Sequence, residues 1–166
     1  MQIDHFFGGS ALQPVDARGR VRLPRFVRET VERRSGARTL VIGTHEADAC
    51  LTAYDGGHRR ALFAEEERRR LREEEGGGSP AHAARARRAF GLTQEAGYDE
   101  AGRVLLPPMM RRLGRIEDLA LFVGTGGAVE IWNPRLAADS DDPALRALAR
   151  WRLGEAEPSH NQEERP

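Results

Sequence analysis

From Arg20 to Leu23 polar and apolar residues alternate strictly, so that Arg20 and Arg22 share one face of a strand and Val21 and Leu23 the other. The run before it, SALQPV over residues 10–15, is separated from it by the polar, glycine-containing DARG. Two short strand-like runs about such a turn predict a hairpin, with Gly19 placed where positive φ is cheap. Such a hairpin buries its valine and leucine and presents arginine outward. At Pro24 the period changes. Proline suits the first turn of a helix, and Phe26, Val27, Thr30 and Val31 recur at helical spacing, predicting a helix to about Ser35 that Gly36 stops. Strands are then expected at Thr39 to Thr44 and Cys50 to Tyr54.

The same pattern returns later in the chain. Asp16 to Pro24 and Asp99 to Pro107 both read D-x-x-G-R-V-x-L-P, 83 positions apart, and lead to LVIGT (40–44) and LFVGT (121–125). The second copy offers Met109, Met110 and Leu113 as the inward stripe of its helix, and strands at Ala120 to Thr125 and Ala128 to Trp132. The chain is a tandem pair of one supersecondary unit.

Between the copies, His58 to Glu75 is rich in helix formers and in Glu/Arg pairs three and four apart, which predicts a solvated helix packed through Leu62, Phe63 and Leu71. GGGSP (76–80) reads as a flexible break, and Ala81 to Phe90 as a second helix ending at Gly91. After Trp132 the sequence turns acidic. Asp139 to Asp142 with Pro143 predicts a capped helix to about Leu153, docking Ala144, Ala147, Leu148 and Trp151, and residues 155–166 read as a disordered polar tail. The resulting division is repeat 1 over 8–58, a helical linker over 59–89, repeat 2 over 90–136 and a C-terminal part over 137–166.

Composition changes the picture mainly through charge distribution. Formal net charge is zero, so bulk charge points to neither nucleic acid nor membrane. Asp16 to Arg38, however, holds eight arginines against three acids, whereas 133–166 holds five against seven. All 26 basic residues are arginine, as a GC-rich genome or selection for the planar guanidinium fork would each produce. One cysteine excludes an intrachain disulfide, and neither a signal peptide nor a long apolar run occurs, so a cytoplasmic location is expected.

The two D-x-x-x-R motifs, each followed by V-x-L-P, together with EIW at 130–132 and RARRAFG at 85–91, resemble the MraZ family of bacterial transcriptional regulators, built from two SpoVT-AbrB-type repeats. The resemblance covers about residues 7–136. It implies an α+β, mainly β fold, a pseudo-twofold double-split β-barrel with swapped hairpins made from two βαββ-type repeats. It also implies ring-shaped homo-oligomers, association with the nucleoid, and binding to short direct repeats upstream of the cell-division and cell-wall gene cluster, usually as a repressor. The family's D-x-x-x-R carries over as Asp16 with Arg20 and Asp99 with Arg103. Arg18 stands where the family usually has lysine.

As residues, Asp16 and Asp99 with Gly19 and Gly102 are turn formers whose carboxylates bond nearby N–H groups and orient the arginines. Arg20 and Arg103 are candidates for DNA contact or for bracing the barrel, and Arg18, Arg22, Arg25 and Arg28 for a phosphate clamp or a solvated face. The second copy has Ala101, Leu105, Pro108 and Arg111 at those four places. Cys50, aligned with Ala128, reads as a buried strand position. The five histidines show no ligand spacing, and GTGG (124–127) lacks the lysine of a phosphate loop, so neither an active site nor a metal or other cofactor is expected. The competing reading is a protein-binding or antitoxin-like module with incidental DNA affinity, for which aromatic and aliphatic anchors would be expected in place of arginines.

Overall fold

The computed structural model describes residues 5–77 and 80–156, with side chains to Gly154. Among the described residues, eight strands and six α-helices follow the tandem order. The first repeat contributes β1 (Ser10–Pro14), β2 (Arg20–Arg22), α1 (Arg25–Ser35), β3 (Thr39–Thr44) and β4 (Leu51–Tyr54). The linker holds α2 (Gly56–Glu75), α3 (Ala81–Ala86) and a π-helical turn (Arg87–Gly91). The second repeat contributes β5 (Thr93–Gly97), β6 (Arg103–Leu105), α4 (Pro108–Leu113), β7 (Leu119–Gly124) and β8 (Val129–Trp132), followed by α5 (Pro134–Ala137) and α6 (Pro143–Ala156).

An antiparallel six-stranded sheet runs in the order β1-β7-β8-β4-β3-β5, and β2 pairs with β6 in a separate two-stranded ribbon. The fold is α+β and split-barrel-like, not a closed barrel. Reading the sheet order backwards exchanges the two repeats strand for strand, so the architecture has a pseudo-twofold axis. The expected local hairpin is exchanged between repeats. Strands β1 and β2 meet at a single bridge, Val15 with Val21; β1 pairs instead with β7 of the other repeat, and β5 with β3. A three-residue strand has too few local hydrogen bonds to hold its own hairpin, and crossing to the other repeat gives it a partner whose inward valine completes the core.

That core is common to both repeats. Val21, Leu23, Val27, Val31, Leu40 and Ile42 pack in one cluster with Val104, Leu106, Met110, Ala120, Phe122 and Ile131. Gly36 closes α1 in the left-handed conformation at φ 67°, as its position predicts. Arg34 ties the end of α1 to the rest: it pairs at 3.2 Å with the buried Asp55, donates to the carbonyls of His5, Gly126 and Gly127, and lies over the Phe7 ring.

Three packing expectations need correction. Of the stripe on α4, Met110 alone is buried; Met109 and Leu113, one turn apart on the adjoining line of the helix, are exposed, so the core meets only the edge of the expected stripe. Helix α2 has no buried residue: Leu62 is half-buried and Phe63 and Leu71 are exposed. It is held instead by ion pairs, Arg85 of α3 reaching Glu66 and Glu73, and by an edge-on contact of Phe63 with Phe90. Helix α6 docks through Leu145, Leu148 and Ala149, while Ala144, Ala147 and Trp151 face outward. Its buried side meets Cys50, Leu121 and Trp132. The Asp142 carboxylate accepts from Ala144 N–H at its start, as predicted. Gly78 and Ser79 of the expected break, and 157–166 of the expected tail, lie outside the described residues.

Candidate nucleic-acid interface

The two D-x-x-G-R turns are built alike and locked together. Each aspartate carbonyl accepts from its glycine N–H at 2.9 Å, which requires the left-handed glycine seen at φ 88° for Gly19 and 80° for Gly102. Each glycine carbonyl then accepts from the opposite copy: Leu106 N–H to Gly19 at 3.0 Å, Leu23 N–H to Gly102 at 2.8 Å. The ribbon register sets Arg20 against Leu105, Val21 against Val104 and Arg22 against Arg103. Both valines point inward and are buried, which leaves Arg20, Arg22, Arg103 and Leu105 on the outward face.

Asp16 holds its arginine tightly. The carboxylate accepts from the backbone N–H groups of Arg18 and Arg20 at 3.0 and 2.9 Å, and from Arg20 Nε at 3.1 Å. These bonds, the backbone N–H of Arg20 foremost, hold the carboxyl below the usual aspartate range. Asp99 accepts from Arg103 N–H at 2.9 Å and is likewise held low, chiefly by that bond. No ion pair fixes the Arg103 guanidinium among the described residues. A shallow depression lined by Asp16, Arg20, Val21, Arg22 and Arg103 lies between the strands.

The other predicted arginines separate by surroundings. Arg18 is exposed at the tip of the first turn. Arg22 donates from Nε to the Ala101 carbonyl at 3.0 Å, which steers it across the ribbon. Arg25, highly exposed, pairs with Glu29 at 2.6 Å. Arg28 is half-buried against the opposite turn, where a Cβ on Gly102 would stand 2.4 Å from its Cδ. Its twofold counterpart Arg111 lies against Gly19 and donates to the carbonyls of Ala17, Ile116 and Glu117. Arg111 was missed as a site-building residue in the sequence, although the repeat offset that relates the two turns also pairs it with Arg28.

Elsewhere, burial pushes the Cys50 thiol well up, away from the reactive thiolate. His45 lies near Asp48 and Glu130, but its Nδ1 already accepts from the N–H groups of Ala47 and Asp48. Among the described residues no helix is long and apolar enough to cross a membrane.

Like charges set directly opposite each other destabilise a β-ladder, so the Arg22–Arg103 pairing is a cost to the fold that a polyanion on this face would relieve. No family model matches the chain. A transcriptional regulator MraZ of Alcanivorax borkumensis is 33% identical over 141 residues, spanning 83% of this chain and 92% of that protein. The chain belongs to the MraZ family. A second member, the transcriptional regulator MraZ of Desulfitobacterium hafniense, is 32% identical over 86% of this chain and 92% of its own length. A third, from Saccharophagus degradans, is 29% identical over 82% of this chain and 90% of that protein.

Proposed function

We propose that this chain is a DNA-binding transcriptional regulator, not an enzyme, whose β2/β6 ribbon enters the major groove with Arg20, Arg22 and Arg103 facing the bases and Arg18 and Arg25 near the phosphates. The observation that carries the reading is the outward ribbon face, where three arginines crowd together with one acid, Asp16, among them. A two-stranded β-ribbon fits the major groove, and an arginine fork reads guanine O6 and N7. Arg28, turned onto Gly102, takes the part of a residue that positions the turn.

The finer reading is that the protein represses the cell-division and cell-wall gene cluster from short, guanine-containing direct repeats upstream of its own gene, acting on the nucleoid in the cytoplasm as a homo-oligomeric ring. Affinity supports assembly. Non-specific binding is only about 10⁻⁴ to 10⁻⁶ M at physiological salt, and one ribbon offers few phosphate contacts. Joining several ribbons multiplies affinity by roughly 10² to 10⁴. Met109 and Leu113, exposed and one turn apart on α4, are apolar surface suited to a subunit contact.

Light scattering, paired with titration of DNA carrying one, two or three repeats, tests the reading. The expected result is an oligomeric mass and affinity that climbs with repeat number. A monomeric mass, or equal affinity for one repeat and three, would overturn the ring. Arg20→Ala should abolish specific binding with the melting temperature nearly unchanged, while Arg103→Ala should weaken it less. A large loss of thermal stability in Arg20→Ala would make that arginine a brace of the fold.

A further inference from the structure

The outward face of the ribbon is a two-by-two set, with Arg20 opposite Leu105 and Arg22 opposite Arg103. The pseudo-twofold carries Arg20 onto Arg103 and Arg22 onto Leu105. A symmetric face would therefore hold four arginines, and the second copy has leucine in place of the fourth. Leu105 is 52% exposed and lies outside the buried core, whose positions in the ribbon are filled by Val21 and Val104. Among the described residues it joins neither buried cluster. An isobutyl group left in water among three guanidiniums gains free energy only if something apolar reaches it, and the neighbouring charges call for that something to be part of a polyanion.

We infer that Leu105 reads a thymine, packing on its 5-methyl group in the major groove beside the bases read by the arginines; this rests on the function proposed above. Thymine alone of the four bases presents a methyl group in that groove, and leucine can make no competing hydrogen bond to a base edge. Cross-strand neighbours stand about 5 Å apart, close enough to the 3.4 Å spacing of stacked bases for Arg20 and Leu105 to address adjacent base pairs. The leucine also breaks the twofold of the reading face, so the ribbon distinguishes the two directions along the duplex.

The test exploits deoxyuridine, which differs from thymidine by that methyl alone. The DNA fragment that the protein protects upstream of its own gene is resynthesised with thymidine replaced by deoxyuridine, one position of the protected repeat at a time and in every copy. The wild-type protein should lose about three- to fourfold in affinity per repeat at one position, the effect of one buried methyl. Leu105→Ala should bind the thymidine fragment correspondingly more weakly and lose all discrimination at that position. A silent scan, or an equal deoxyuridine penalty in Leu105→Ala, would overturn the inference while leaving DNA binding in place. A smaller light-scattering mass for Leu105→Ala would also overturn it and make Leu105 a subunit contact. If the wild-type protein binds no fragment, the proposed function falls, and the inference with it.

Discussion

The two D-x-x-G-R turns share a backbone and differ in what holds their arginines. In the first, Asp16 clamps Arg20 through Nε as well as through the backbone; in the second, Asp99 reaches the backbone N–H of Arg103 and leaves its guanidinium unpaired. Arg111 beside Gly19 is bonded to three carbonyls, whereas Arg28 beside Gly102 has a buried Nε without a partner. Duplication thus preserved the frame, which must satisfy both halves of the ribbon at once, and let the side chains on it diverge. One turn presents a pre-oriented arginine and the other an arginine that no side-chain partner holds among the described residues. An arginine held in place loses less side-chain entropy on binding, which is why Arg20 is expected to outweigh Arg103.

The strongest challenge to the shared frame is at its centre. Val21 and Val104 face each other and are 2% and 1% exposed. Either one replaced by aspartate buries a carboxyl with no partner, at roughly 2–7 kcal/mol even in its neutral form, against a typical total stability of about 5–15 kcal/mol. Val21→Asp and Val104→Asp should therefore each unfold the protein or bring it close, and by similar amounts, as denaturant melts would read. A soluble, cooperatively folding variant of one but not the other would show that the repeats do not share the ribbon equally.

Glycine substitution separates the copies. Both Gly19→Ala and Gly102→Ala force a side chain into the left-handed region, costing about 1–2 kcal/mol. At Gly19 the new Cβ would stand 3.3 Å from Arg111 Nη1 and 3.4 Å from its Cδ, contacts that a shift of a few tenths of an ångström relieves. At Gly102 it would collide with the middle of Arg28, 2.4 Å from Cδ and 2.8 Å from Nε. Gly102→Ala should cost about 2–4 kcal/mol in all, and Gly19→Ala no more than its backbone strain. Equal losses would mean that Arg28 swings away freely.

These contrasts also mark what could be read from the chain alone. The alternation at Arg20 to Leu23, the α1 stripe, with Val27, Thr30 and Val31 buried and Phe26 partly buried against the core, and the stop at Gly36 are local properties, and the structure has them where the pattern puts them. The partner of β2 is not local. Nothing in a three-residue strand specifies β6, 83 positions away, rather than its own neighbour β1. Helix α6 shows the same division: two stripes, Ala144–Ala147–Trp151 and Leu145–Leu148–Ala149, have helical spacing, and the surface of Cys50, Leu121 and Trp132 selects the second. At the site, the outward places of Arg20 and Arg22 were legible from alternation, and Arg103 was singled out by the repeat of the D-x-x-x-R motif. The pairing of Arg22 with Arg103, and the turn-bracing places of Arg28 and Arg111, depend on the exchange of hairpins and were not.

The smallest expected effect tests the difference in clamping most directly. Both aspartates titrate below their ordinary value, near 3.9, because N–H donors favour the charged form. A carboxylate with a depressed folded pKa contributes stability that is present above the unfolded value and is lost as pH falls through the folded one. Both turns should therefore loosen only in acid, below about pH 4. For each, the largest cause is the backbone N–H of the motif arginine, which survives mutation of its side chain. The two differ in the remainder: Asp16 also accepts a side-chain hydrogen bond from Arg20, and Asp99 has no such bond from Arg103. Carboxyl-detected NMR titration should accordingly show Arg20→Ala raising the Asp16 midpoint part of the way to its ordinary value, and Arg103→Ala raising that of Asp99 by less. Equal shifts would show that Arg103 is clamped in solution as Arg20 is, and that the second arginine comes to DNA as well oriented as the first.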